Sequence, residues 1–384
     1  MLTEDGLVAI DEIATEQVPD PTQPGVVALV AHADQVHVIT RGAMSRGGDP
    51  MQRDTLFRIS STTKPITAVA ILSLVAEGLI ELDEPVDRLL PELGDRQVLR
   101  QLDGPLDDTE AAKRPITTRD LLTFTFGLGV AVEMFTAAQP PPIFAAGAAE
   151  PLCTFGPPQP GKQAEPDAWM QALGALPLAA QPGERWLYNT GASVLGVLAA
   201  RAAGEPFPDV LRGRVFEPLG MNDTAMSTAE TNRLPTSYAA DATTIFDSPS
   251  GAWSRPPAFA DGAGGLVSTA DDLLAFARMF LRGGDPVLSA AAVAEMTTNQ
   301  ITPAQAGSAA EAFLDGGGWG YCIAIVTNGP RTGSFGWAGG LGSTWLVDPL
   351  RDLVVITLTQ RMLDSPESFA VHSALQDAAY AALA

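Results

Sequence analysis

The stretch RISSTTKPITAVAILSLVAEGL, Arg58 to Leu79, decides the fold. Within it Ser61 and Lys64 are spaced i, i+3, which puts both side chains on one face if Thr62 begins a helix. Pro65 fits only near the start of such a helix, where its missing N–H is no loss. Ile66, Val69, Ile71, Leu72, Leu74 and Val75 make the following turns apolar nearly all round, the pattern of a helix buried between layers. Ser61 is therefore expected at the mouth of a buried helix, with an amine one turn away.

That amine is conspicuous, because the chain has three lysines, at 64, 113 and 162, against twenty arginines. Arginine keeps its proton in proteins and lysine can lose it, so a chain that otherwise uses arginine has a physical reason to keep lysine where a neutral amine is required. For Lys64 to accept a proton near neutral pH, its charged form must be disfavoured by about 4 kcal/mol relative to free lysine. A helix amino terminus supplies only ~0.3 to 2 kcal/mol of this. Desolvation against the apolar helix has to supply most of the remainder. An S-x-x-K pair is a weak signal alone, so its meaning depends on what accompanies it.

Two further pieces do. PGERWLYNTGASVLGVLAARAAG, Pro182 to Gly204, reads as a turn, a short extended piece ending at Tyr188, and an amphipathic helix stopped by Gly204. A phenol within reach of Ser61 and Lys64 would relay the proton from nucleophile to leaving group, as acyl transfer demands; a core tyrosine bonded to backbone is the plainer alternative. In RTGSFGWAGGLGSTWLVDP, Arg331 to Pro349, Gly339 and Gly340 leave a strand edge bare of side chains. A backbone N–H there, with that of Ser61, would give the two donors of an oxyanion hole; a glycine-rich hairpin turn is the alternative.

Other layouts find less support. No G-x-S-x-G elbow is present, and the histidines are His32, His37 and His372, in strand-like and carboxy-terminal helical pieces. H-E-x-x-H, G-x-x-x-x-G-K-[ST] and a strand-linked G-x-G-x-x-G are absent, so neither a metal nor an organic cofactor is expected. Cys153 and Cys322 stand far apart without a C-x-x-C partner and read as two unpaired thiols.

The bulk properties narrow the class. At 384 residues the chain exceeds the usual size of one hydrophobic core, which favours two lobes. A net charge of −22 repels nucleic acid and anionic lipid, so partners of those kinds are not expected. The apolar run from Ile66 to Ala76 falls short of the ~20 residues a membrane span needs. The acidic opening MLTEDGLVAIDEIATE is unlike a secretory signal, which points to the cytoplasm. Nothing in the sequence indicates an oligomeric state.

A first helix is expected near residues 3 to 17, and GVVALVAHADQVHVIT, Gly25 to Thr40, reads as two β runs around Ala33-Asp34. TLFRIS ending at Ser60, WGYCIAIVT (Trp319 to Thr327), GSTWLVD (Gly342 to Asp348) and DLVVITLTQ (Asp352 to Gln360) complete six segments that need a common sheet. Residues 76–265 read as mainly helical, with an irregular Pro-rich excursion or lid at 137–166. A last helix starts at Ser365 and Pro366. The expected fold class is α/β of the α+β type, an antiparallel sheet flanked by helices plus a mainly helical lobe. The sheet domain is expected from 1–75 and 266–384, the helical one from 76–265.

Together these residues resemble the serine β-lactamase-like family, which includes class C β-lactamases, DD-peptidases, family VIII carboxylesterases and related acyltransferases. The resemblance runs from about Gly25 to Gln360. It is carried by FRISSTTKPITAVAIL, ITTRDLLTFTFGLG (Ile116 to Gly129), PGERWLYNTGASVLG, GAGGLVSTADDLLAF (Gly262 to Phe276) and GWAGGLGSTWLVDPLRDLVVITLTQ. It puts Ser61 and Lys64 at the S-x-x-K positions and Tyr188 at the catalytic tyrosine. Trp337-Ala338-Gly339 stands where β-lactamases have K-T-G, which makes the Gly340 N–H the second oxyanion donor.

Two departures bear on substrate. Trp337 replaces the lysine that would greet a β-lactam or peptide carboxylate, and the esterases of the family commonly show W-x-G there. In Tyr188-Asn189-Thr190, Thr190 takes the asparagine position of Y-x-N, so that amide is lost or displaced to Asn189. The resemblance thus implies a carboxylic ester hydrolase working through an acyl-enzyme on small-molecule esters. Amide or β-lactam hydrolysis and transfer to an acceptor other than water are alternatives on the same site; a non-catalytic binding protein is a third. Phe124, Phe126, Trp186, Trp253 and Trp337 are candidates to line an apolar pocket, with Asn189 and Gly339 facing the substrate.

Overall fold

Thr3 opens the first helix, α1 (Glu4–Gln17), by accepting the N–H of Gly6, with Glu4 and Asp5 complementing the helix dipole in the first turn. The computed structural model describes residues 1–149, 152 and 156–383. Strands β1 (Val26–His32) and β2 (Gln35–Arg41) follow, paired so that Val30 faces His37, with Ala33 turning the chain at φ 51°. On β1 the alternation of side chains sorts two packing faces. Val26, Ala28 and Val30 join a cluster with Ile10 and Ala14 of α1, whereas Val27, Leu29 and Ala31 join the main core. Burial on both faces explains why this strand is apolar throughout.

The TLFRIS run does not join that sheet. Its strand β3 (Phe57–Arg58) pairs with β4 (Val267–Ser268) apart from the other five segments. The cause lies in Arg58, whose guanidinium is buried and bonded to Asp247 at 2.8 Å and to the carbonyls of Pro235 and Ser248. A charge taken out of water needs those partners, and they hold the run at residues 235–248. A 3₁₀ turn at Ser60–Thr62 then leads into α2 (Thr63–Ala76), buried from Thr63 to Leu74 as its all-round apolar character requires.

The stretch expected to be irregular contains a helix, α3 (Pro142–Ala149), with Ile143 and Phe144 buried in the main core. Helix α4 (Thr190–Ala203) packs against α2 and ends where Gly204 takes a left-handed φ of 71°. Residues 76–265 also hold two small hairpins, pairing Gln97–Leu99 with Thr109–Ala111 and Ser237–Tyr238 with Ile245–Asp247.

After β4, Thr269 caps α5 (Ala270–Leu281), whose Phe276 and Phe280 rings lie against Trp345 under the sheet. The expected single strand from Trp319 is two short ones, β5 (Gly318–Trp319) and β6 (Ala324–Ile325). Between them the N–H of Tyr321 donates to Met296 and that of Cys322 to Leu122, which draws the backbone off the ladder. Strands β7 (Phe335–Gly339), β8 (Ser343–Asp348) and β9 (Leu353–Thr359) follow, and α6 (Pro366–Ala381), capped by Ser365, closes the chain over the face that α1 covers. The sheet order is β2-β1-β9-β8-β7-β6-β5, antiparallel at each pairing. This is the expected fold class, an antiparallel sheet flanked by helices with further helices beside it. Among the described residues no helix is long and apolar enough to cross a membrane.

Candidate active site

The turn that carries Ser61 is pinned from two sides. Ile59 donates its N–H to Leu266 at 3.0 Å, and its carbonyl accepts from Ser343 Oγ at 2.7 Å. Ser343 Oγ also shares a 3.0 Å hydrogen bond with Thr62 Oγ1. At Ser60 the backbone takes a φ of 46°, a conformation L residues adopt at a cost, so the bonds on either side have to hold it. Gly339 makes the close approach possible, since a Cβ there would lie 2.1 Å from the Ile59 carbonyl oxygen and 2.3 Å from Ser343 Oγ. Expected on a substrate-facing edge, Gly339 instead packs the sheet against the start of α2.

At the second residue of α2, one turn after Ser61, the Lys64 side chain is wholly buried. Its Nζ donates to Ser61 Oγ at 2.8 Å and to the carbonyl of Ala263 at 2.6 Å, and it lies 4.7 Å from the centre of the Tyr188 ring. Both hydrogen-bond partners are neutral, so no countercharge is bonded to the amine. Tyr188 completes the triangle, its hydroxyl donating to Ser61 Oγ at 3.0 Å. Its backbone exchanges hydrogen bonds with Val130 at 2.8 Å, which fixes where the phenol emerges. The Trp337 indole N–H donates to the phenol oxygen at 2.9 Å.

The Gly340 carbonyl accepts from Leu363 at 2.9 Å, and a Cβ at this glycine would meet nothing within 4 Å, so the hairpin edge is open there. Beside Ser61 lies a cavity of about 550 Å³, lined among others by Asn189, Gln159, Lys162, Gln163 and Asp261. Residues 156–163 thus form part of the cavity wall. Asn189 holds a φ of 79° at the junction between Tyr188 and α4.

The expected apolar lining is corrected. Phe124, Phe126 and Trp186 are at most 1% exposed and do not line this cavity. Phe124 and Trp186 pack against the Tyr188 ring, with centroids 6.0 and 5.7 Å away, and support it from within the core. Trp253 sits in a separate cluster with Leu56, Leu234, Val267 and Leu341, its indole N–H bonded to the carbonyl of Gly265. Only Trp337 of the five is partly exposed, with its ring 5.6 Å from that of Tyr188.

Several neighbours escaped the sequence. Phe313 stacks on Tyr188 at 5.7 Å, and nothing in its surroundings in the chain marks it out. Ala263 acts through a main-chain carbonyl, which no residue type advertises. Asp261, two residues earlier, accepts hydrogen bonds from Ala263 N, Ser193 Oγ and Gln163 Nε2.

Two of the three histidines are engaged elsewhere: His37 lies 3.4 Å from Asp11, and His372 Nδ1 bonds Thr344 Oγ1 at 2.9 Å. Cys322 is a buried free thiol, pushed well above the ordinary thiol range by desolvation; Cys153 lies outside the described residues. Among the described residues no group of His, Cys, Asp and Glu is arranged to hold a metal ion.

An antiparallel sheet flanked by helices, with a serine opening its central buried helix and an amine one turn behind, is the framework of a serine hydrolase. The chain belongs to the Beta-lactamase family, whose model matches residues 10–380. It is 38% identical to Protein Rv1367c of Mycobacterium tuberculosis (strain ATCC 25618 / H37Rv) over 83% of this chain and 80% of that protein. Identity to Esterase EstB of Burkholderia gladioli is 30%, over 97% of this chain and 94% of the esterase. Among solved structures, EstCE1, a hydrolase with promiscuous acyltransferase activity, matches with a TM-score of 0.81 at 24% identity, covering 98% of this chain and 99% of that one; this likeness speaks for the fold.

Proposed function

We propose that the protein hydrolyses carboxylic esters of small molecules through an acyl-enzyme on Ser61. The observation that carries this reading is the triangle in which Lys64 Nζ and the Tyr188 hydroxyl both lie within 3.0 Å of Ser61 Oγ. Ser61 Oγ attacks the ester carbonyl carbon as its proton passes to the Lys64 and Tyr188 pair. The backbone N–H groups of Ser61 and Gly340 hold the negative oxygen that forms. The pair then delivers the proton to the leaving alkoxide as the C–O bond breaks. In the second half a water molecule enters by the same proton route and releases the acid, restoring Ser61.

Trp337 supports an ester over a β-lactam, because an indole in place of a lysine gives a β-lactam carboxylate no cation on that strand. The cavity of about 550 Å³ is of the size that takes a small molecule. Delivery of the acyl group to an alcohol in place of water is a second reading on the same acyl-enzyme, since an alcohol can enter by the proton route that water uses.

Purified protein offered p-nitrophenyl butyrate, nitrocefin and a D-amino acid amide tests this. Turnover of the butyrate, lost in Ser61→Ala, is the expected result. Turnover of nitrocefin alone would show that the inference from Trp337 is wrong.

A further inference from the structure

We propose that Asp261 is a positioning residue that aims the Lys64 amine at Ser61 by holding the Ala263 carbonyl in place. This rests on the reading of Ser61 and Lys64 given above. Of the two hydrogen bonds that Lys64 Nζ makes, the shorter goes to Ala263 O, at 2.6 Å against 2.8 Å to Ser61 Oγ. A tetrahedral amine with one N–H committed to that carbonyl has its remaining directions fixed. The orientation of one peptide unit therefore decides whether the amine meets the serine.

That peptide unit belongs to a tight turn closed by Asp261 at both its main chain and its side chain. The Asp261 carbonyl accepts from Gly264 at 3.3 Å and Gly265 at 3.0 Å, while Oδ1 accepts from Ala263 N at 2.8 Å. The same Oδ1 takes the Ser193 hydroxyl of α4 at 2.7 Å, and Oδ2 takes the Gln163 amide at 3.1 Å. One carboxylate thus ties together the turn, a core helix and the wall of the cavity. Next to it, Gly262 is wedged so closely that a Cβ would lie 2.5 Å from the carbonyl of Ala192, and its own carbonyl accepts from Thr67 of α2 at 2.8 Å. The turn is seated between α2 and α4 with its carbonyls directed toward α2.

Asp261 is only 8% exposed, and its three side-chain hydrogen-bond partners are neutral donors. A carboxylate buried without a bonded cation is costly to keep, and donors converging on it offset that cost. A residue needed only to fill space here would be apolar. The chemistry selects a side chain that accepts several hydrogen bonds at once, and what those bonds order is the carbonyl that grips the amine. Reacting groups misplaced by about 1 Å lose on the order of 10²-fold in rate, so a turn released by one bond becomes a kinetic defect.

The test is the rate at which a fluorophosphonate labels Ser61 in wild type, Asp261→Ala, Asp261→Asn and Ser193→Ala, with the melting temperature of each and KM for p-nitrophenyl butyrate. Asparagine keeps an oxygen that accepts from Ala263 N and Ser193, so it separates geometry from charge. The expectation is labelling about 10²-fold slower in Asp261→Ala with KM little changed, recovery to within several-fold of wild type in Asp261→Asn, and a several-fold loss in Ser193→Ala. Labelling of Asp261→Ala at the wild-type rate overturns the proposal, as does an Asp261→Asn variant as slow as the alanine. If Asp261→Ala does not fold, Ser193→Ala decides: slower labelling at an unchanged melting temperature supports the proposal, and a wild-type rate overturns it. A wild-type chain that takes no label overturns the reading of Ser61 itself, and this inference with it.

Discussion

The indole N–H of Trp337 donates to the phenol oxygen of Tyr188 at 2.9 Å, and that phenol in turn donates to Ser61 Oγ at 3.0 Å. Because the oxygen accepts from the indole on one side, its own proton is directed to the serine on the other. Trp337 therefore does more than remove a cation from the strand: it orients the tyrosine hydroxyl. Replacing it with phenylalanine keeps an aromatic ring beside Tyr188 and deletes one neutral hydrogen bond, worth about 0.5 to 1.5 kcal/mol. Trp337→Phe is predicted to lower kcat/KM for p-nitrophenyl butyrate by roughly 2- to 12-fold, the same energy expressed as a rate. An unchanged kcat/KM would mean that the indole bond does not serve the reaction.

Lys64 offers a sharper comparison. Both Lys64→Met and Lys64→Arg are predicted to lose roughly 10²- to 10⁴-fold in acylation rate, the usual contribution of a proton-transferring group. The arginine variant keeps a positive charge and hydrogen-bond donors but does not give up its proton in the working pH range. If the role of Lys64 were to supply positive charge, arginine would preserve much of the rate. Stopped-flow acylation measured against titrated active sites separates the two.

The cluster of Ser61, Lys64 and Tyr188 was legible because its members carry distinctive side chains at readable places: a serine and a lysine one turn apart, and a tyrosine before a helix. The groups that aim them were not. Ala263 contributes a carbonyl, and Asp261 is one acid among the 45 acidic residues of the chain. The aromatic candidates failed for a related reason, since composition does not say which face of an element a ring occupies. Phe124 and Trp186 support the Tyr188 ring from inside, and Trp253 belongs to the cluster around Leu234 and Leu341. In the fold, β1, β8 and β9 could be read from their apolar runs. TLFRIS looked the same but carries Arg58, whose need for Asp247 takes it off the sheet.

The two glycines of the W-A-G-G turn are predicted to behave oppositely. A methyl group on Gly339 would press 2.1 Å from the Ile59 carbonyl oxygen, which can retreat only by moving the turn that holds Ser61. Gly339→Ala should destabilise the protein by about 1 to 3 kcal/mol, as overpacking does, and also depress activity per folded molecule. At Gly340 an added Cβ has nothing within 4 Å, so Gly340→Ala should retain the wild-type melting temperature. Equal melting temperatures for both variants would contradict the close packing of β7 on the Ser61 turn.

His372 gives the protein a stability that depends on pH. Its ring is buried between α6 and the sheet, with Nδ1 on Thr344 Oγ1, and desolvation holds its pKa down at about 4 from an ordinary 6.5. Below pH 6.5 the unfolded chain takes up a proton on this histidine that the folded chain refuses until about pH 4. Acidification through that window therefore favours the unfolded state, and stability returns as the pH rises. Between pH 7 and pH 5 this one group is predicted to cost roughly 2 kcal/mol, which lowers the melting temperature by a few degrees. His372→Gln fills a similar volume, can still bond Thr344 and does not titrate. Its melting temperature should fall less than that of wild type over the same interval, whatever the carboxylates contribute to both. Parallel curves for the two proteins would show that the ring takes its proton in the folded state as readily as in the unfolded one.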